Sequence, residues 1–267
     1  MGQKTHPKGF RLISTQNHLS SWYTSKNNYS YLIEEDNFLR TNINKSLINC
    51  LTLADINIDR VINQDNTEYS KITLNAGYPK IKESYLIILK HFNEILYNIK
   101  TNKIETINFK KQSKQILENI IKEYKLSNNE IKHYFISIIK YKIRTLLRLF
   151  KKKTNKNYFI YITLFKNIFE NVVLITNYIC KQLEQRVSFK KIIKETITLI
   201  KDTNLNIRGI KIQISGRLND NSIARTEWEK DSSMPLHTLF ANINYSSQSA
   251  KTKYGLLGVK VWLYTKD

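Results

Sequence analysis

The sequence predicts an α+β fold in two parts, and three observations carry that reading. In Arg208–Trp228, Ile210, Ile212 and Ile214 alternate with Lys211, Gln213 and Ser215, the period of a strand with one buried face. Just before it, Asn171–Gln185 and Ser188–Lys201 have helical apolar spacing. Nearer the amino terminus, a helix, two strands and a second helix fall between Tyr31 and Lys100.

Taken in order, residues 1–30 hold Lys4, Lys8, Arg11 and Lys26 and no acid. Pro7 and Gly9 disfavour a helix, so the segment is expected to be an extended basic arm. Apolar residues at 32, 39, 43 and 47 predict a helix over Tyr31–Cys50. Glu34-Glu35-Asp36 is expected near its start, where the helix dipole favours carboxylates. Strands are expected at Leu53–Asp59 and Tyr69–Asn75, followed by an amphipathic helix over Glu83–Lys100.

From Thr101 to Asn157 the composition changes. Fifteen Lys or Arg face four acids, so this segment carries +11 of the chain's +21. Apolar residues still recur at helical spacing, and Ser127-Asn128-Asn129-Glu130 matches a capping box before a longer helix. Residues 101–157 are therefore read as a basic helical insertion whose stripe, through Ile131, Phe135, Ile138 and Leu146, packs on protein. Tyr158–Phe165 is β-branched and aromatic, the pattern of a buried strand that opens the carboxy-terminal part, 158–267. There, Ser188 is a fair helix N-cap, and Ile193, Ile197 and Ile200 form a buried face. Lys190, Lys191 and Lys194 share one flank of the first turns. Asn219-Asp220-Asn221 supplies a turn, Ile223–Trp228 runs back, and Leu239–Tyr245 and Gly258–Thr265 alternate again. The expected carboxy-terminal unit is two helices on a mostly antiparallel sheet.

The 267 residues suffice for two domains, and a 41% hydrophobic content supports a packed core. An excess of 43 Lys plus Arg over 22 acids repels itself in a compact state and calls for a polyanionic partner. The longest apolar run, Tyr158–Phe165, is eight residues, too short to span a bilayer, so no membrane partner is expected. Cys50 and Cys180 point to a reducing compartment, and the five scattered histidines lack metal-ligand spacing. No cofactor and no catalytic constellation is expected. The richness in Asn, Ile and Lys suggests A+T-rich codons, as in an organelle genome.

Several motifs then carry a resemblance. MGQKTHPKGFRL, RVSFKK, GIKIQISGRL, ARTEW, PLHT and YGLLGVKVW stand in the order found in the family of small-subunit ribosomal protein three, bacterial and plastid type. The resemblance covers about residues 1–100 and 158–267. It implies an amino-terminal type II KH-like domain over 31–100 and a carboxy-terminal α/β domain. It also implies binding to small-subunit rRNA in the subunit head, neighbouring head proteins as partners, and a place beside the mRNA entry channel. The family's mRNA-gripping cluster matches Lys190, Lys191 and Lys194. The candidate rRNA-binding residues are Lys4, Lys8, Arg11, Arg186, Lys211, Arg217 and Arg225. Where KH domains carry a GXXG clamp, Ala76-Gly77-Tyr78-Pro79-Lys80 has one glycine and a proline, which implies a packing scaffold. The GQKTHPKGFRL start favours a plastid over a mitochondrion, and no homo-oligomer is expected. The alternative, a free KH-like RNA-processing factor, would need carboxylates or metal ligands that the sequence does not gather.

Overall fold

The computed structural model describes residues 4–48, 50–62, 68–77, 128–165, 167–203, 206–221 and 223–265. Their elements run α1 (Pro7–Phe10), β1 (Ser20–Ser21), α2 (Lys26–Leu47), β2 (Thr52–Ile62), β3 (Glu68–Gly77), α3 (Asn128–Thr154) and β4 (Asn157–Phe165). There follow α4 (Val172–Glu184), α5 (Phe189–Thr203), β5 (Ile207–Gly216), β6 (Arg225–Ser232), β7 (Ile243–Thr252) and β8 (Gly255–Thr265). The helix expected over Glu83–Lys100 lies outside the described residues.

The first sheet has the order β1-β2-β3-β4, antiparallel only between β2 and β3. Leu39, Ile43 and Leu47 recur along α2 as helical spacing requires, and they meet Ile58, Ile72 and Leu74 of the sheet. Leu146 and Phe150 of α3 close the same core. The portion of 101–157 from Asn128 onward is helical and packs on protein: α3 completes the hydrophobic layer over β2 and β3. Two expectations are corrected here. The boundary at 158 falls on the wrong side of β4, which pairs with β3 from Tyr69↔Asn157 to Gly77↔Phe165. Nor is β4 buried on both faces. It is the sheet edge, with Tyr158 inward and Phe159 and Tyr161 exposed. Of the stripe expected on α3, Ile138 and Leu146 are buried; the side chains of 131 and 135 lie outside the description.

Glu35 and Asp36 sit inside α2, not at its start, and they are buried. Arg60 of β2 bridges both, at 3.0 Å to Glu35 and 2.6 Å to Asp36. Tyr158 donates its hydroxyl to Glu35 at 2.6 Å, Lys156 adds 3.2 Å, and Trp22 donates its indole N–H to Asp36 at 2.8 Å. Burial alone would raise the Glu35 carboxyl, but the Tyr158 hydroxyl and the Arg60 charge outweigh it and hold the group below its ordinary value. Six residues, from the arm, α2, β2, β4 and the turn before β4, are thereby locked together.

The second sheet has the order β6-β5-β8-β7 and is antiparallel throughout. Helices α4 and α5 cover one face, where Ile193, Ile197 and Ile200 meet Ile210, Ile212 and Ile214. The alternation expected at Leu239–Tyr245 begins only at Ile243; 239–241 belongs to an irregular turn over 236–241, some of whose carbonyls have another use. Helix α4 also faces the first sheet. Asn171 donates to Asp55 at 3.2 Å, and a Cβ on Gly77 would lie 2.6 Å from Thr52 Oγ1 and 3.1 Å from Leu174. Gly77 is thus a close-packing position at the end of β3, while 78–80 of the expected degenerate clamp lie outside the described residues.

Candidate nucleic-acid interface

Three turns meet at one end of the second unit and bring two of the expected cations, Arg186 and Arg217, to one cleft. The first links α4 to α5. Arg186 N–H donates to Leu183 O and Val187 N–H to Gln182 O, which is the Schellman pattern. That motif wants a left-handed residue, and Arg186 adopts φ 62° where glycine would sit without strain. The second turn leaves β5 at Gly216, φ 134°, where a Cβ would lie 2.7 Å from Leu257. Arg217 follows, its Nε donating to Asn221 O at 2.9 Å. The third is the β7–β8 hairpin, Lys253-Tyr254. Arg186, Ser188, Phe189, Arg217, Lys253 and Tyr254 line one cleft of about 260 Å³. Arg217 lies over the Tyr254 ring at 5.5 Å. Arg225 starts β6 opposite Gly216, so it belongs to the same end, where it pairs with Glu227 at 3.4 Å.

Lys190, Lys191 and Lys194 project from the first turns of α5 beside this cleft, and all three are exposed. Lys191 is 3.7 Å from Glu195, a surface pair that contributes little and does not compete with a phosphate. Ile192 and Ile193 between them are buried, which fixes the helix roll and keeps the lysines outward.

Lys211 lies elsewhere, on the sheet face away from the helices. It borders a cleft of about 670 Å³ with Lys4, Gln213, Lys260 and Trp262. Lys8 is half-buried in α1. Arg11 corrects the arm expectation most sharply. Residues 7–10 form a helical turn with Pro7 at its first positions, where a missing N–H is harmless. Arg11 is then 1% exposed. Its guanidinium donates to Ala241 O at 2.9 Å, to Leu236 O and Thr238 O at 3.0 Å, and to Pro7 O at 3.1 Å. It holds the 236–241 turn in place, and with four of its five N–H groups on carbonyls and the side chain buried it is not placed to reach rRNA. The arm goes on to pair Ser20–Ser21 with β2, so it fastens one unit to the other.

Sequence reasoning gave no role to Lys253, Tyr254, Lys230, Trp228 or Trp262. The first two are signalled only by their hairpin position. The last three follow from counting in twos from Lys211 once the strand register is known. Among the described residues no group of His, Cys, Asp and Glu is placed to hold a metal ion, and no helix is long and apolar enough to cross a membrane.

Residues 179–263 match the family model "Ribosomal protein S3, C-terminal domain". Over its full length the chain is 33% identical to small ribosomal subunit protein uS3c of Thalassiosira pseudonana, covering 98% of that protein. It is 33% identical to uS3c of Angiopteris evecta, covering 100% of both chains. Against uS3 of Crocosphaera subtropica it is 31% identical, over 99% of this chain and 85% of the relative.

Proposed function

From the premise that this chain belongs to the uS3 family of small ribosomal subunit proteins, we propose that it is a structural, non-enzymatic constituent of the plastid small subunit. It binds rRNA in the subunit head and borders the path of incoming mRNA. The observation that carries this reading is the convergence of Arg186, Arg217 and Lys253 on one cleft beside the α5 lysines. Lysine and arginine there displace counterions from phosphates without selecting sequence. The helix-strand-strand order of α2, β2 and β3, with α3 and β4 completing the layer, supports a KH-like reading of the first unit. In it β2 and β3 serve as scaffold, since Gly77 is occupied by packing. The exposed Lys140, Arg144, Arg148 and Lys151–Lys153 of α3 then lie on rRNA while Ile138, Leu146 and Phe150 face protein.

The test of the mRNA assignment is the combined Lys190→Ala, Lys191→Ala and Lys194→Ala variant incorporated into subunits. Assembly should proceed, with release from subunits by high salt and not by detergent, while translation through hairpin-containing messages slows. Normal translation of such messages would reduce the three lysines to a solvated helix face.

A further inference from the structure

The face of the second sheet turned away from the helices carries a row of rings and cations, buried at Trp262 and open at Trp228, that the mRNA-side cleft does not include. Lys211 Nζ lies 5.0 Å from the Trp228 ring centre and 5.2 Å from that of Trp262. Trp262 in turn lies 5.2 Å from Tyr245, and Tyr245 4.9 Å from His6 of the arm. The arm covers the Tyr245 end. At the other end, on the edge strand β6, Trp228 is 60% exposed.

Strand period two sorts charge by face on β6. Glu227, Glu229 and Asp231 pair across from Ile214, Ile212 and Ile210 and so share the helix-covered face. Trp228 and Lys230 alternate between them and face away. Lys4 and Lys260 border the same surface. Burial, and then the charges of Lys4 and Lys230, push the Lys211 ammonium down, so the cations there are crowded enough to repel. An exposed indole beside crowded cations, with the strand's acids turned to the other face, is complementary to an anion that carries flat rings.

We propose that this face binds unpaired RNA, one base stacking on the Trp228 indole while Lys211 and Lys230 take the flanking phosphates. A duplex buries its base faces and offers nothing to Trp228. A protein strand could add to the β6 edge, but it would leave the lysines uncompensated, so RNA is the occupant the charges favour. The proposal rests on the small-subunit reading for the source of the RNA.

Full-length protein is titrated with a fluorescent oligoadenylate across a salt series, with Trp228→Leu and Lys211→Ala as variants. Base–aromatic stacking contributes roughly 1–3 kcal/mol, so Trp228→Leu should weaken binding about 5- to 150-fold and leave the salt slope unchanged. Lys211→Ala should lower the slope by about 0.7. Trp228→Phe, which keeps a ring, should retain most affinity and shows that the strand still folds. Unchanged affinity in Trp228→Leu overturns the proposal. So does a duplex RNA of equal charge that competes as well as the single strand, or a photo-cross-link from position 228 in assembled subunits that lands on protein. Co-sedimentation of Trp228→Leu protein with the subunit is scored separately, and its loss would count against the ribosomal reading instead.

Discussion

Arg11 is buried and Arg60 half-buried, each with its guanidinium held by groups of the protein itself, whereas Arg186 and the α5 lysines stand exposed at the rim of an open cleft. All are cations in a chain of net charge +21. The difference is what each charge meets. Arg60 finds two carboxylates on α2, and Arg11 finds four backbone carbonyls. The rim cations stay exposed and meet at most a carboxylate or carbonyl close by in sequence, or, for Arg217, the Tyr254 ring. Net charge therefore measures attraction for a polyanion, but only the second group is placed to contact one.

The largest effect that probes this division comes from Arg60. Arg60→Ala strands Glu35 and Asp36 inside the first core, and removing one partner of a buried pair costs about 3–5 kcal/mol. Urea unfolding should show that loss. The triple change Glu35→Leu, Asp36→Leu and Arg60→Met should lose less than Arg60→Ala alone, because it leaves no buried charge behind. If the triple variant is the worse of the two, the network is a net source of stability and not merely a compensated burial.

A smaller effect separates the same network by pH. The Glu35 carboxyl lies below its ordinary value, so the folded state prefers it ionised. Its contribution is then complete above about pH 4.5, the ordinary value, and is lost as pH falls through the depressed folded value. Glu35→Gln should cost about 1.5–3 kcal/mol at neutral pH, the worth of hydrogen bonds to a charged group. The gap between parent and variant should close in acid. A gap that persists unchanged to low pH would mean that Glu35 is already protonated in the fold.

The parts legible in the sequence were those set by near neighbours. Leu39, Ile43 and Leu47 fix the inner face of α2, Ile193, Ile197 and Ile200 that of α5, and Ile210, Ile212 and Ile214 that of β5. What stayed hidden was set by distant partners. Arg11 reads as one more basic residue of a basic arm, since the carbonyls that bury it are more than 220 positions away. Glu35 and Asp36 read as helix-start acids because Arg60 and Tyr158 are not yet beside them. The strand β4 reads as part of the second unit because its parallel partner β3 precedes it by 88 residues, across a helix. The same holds for the site. The α5 lysines were visible as a local cluster, but their company, Arg186, Arg217 and Lys253, is assembled by three turns that only the fold brings together.

The smallest effect belongs to Arg186, and its sign is what makes it informative. The Schellman turn after α4 requires a left-handed residue, and a side chain there carries strain that glycine avoids. Were Arg186 present for stability alone, replacing it would be harmful. Instead, Arg186→Gly should leave stability unchanged or raise it by about 0.5–1 kcal/mol, as relief of the left-handed conformation offsets the added freedom of the unfolded chain. The same change removes one cation from the cleft and should lower the salt slope of single-stranded RNA binding by about 0.7. Thermal unfolding and the salt series on one preparation measure both. A stable variant with a smaller slope marks Arg186 as a residue whose conformation is tolerated for its charge. A destabilised variant with an unchanged slope would return it to the group of Arg11 and Arg60, whose charges serve the fold.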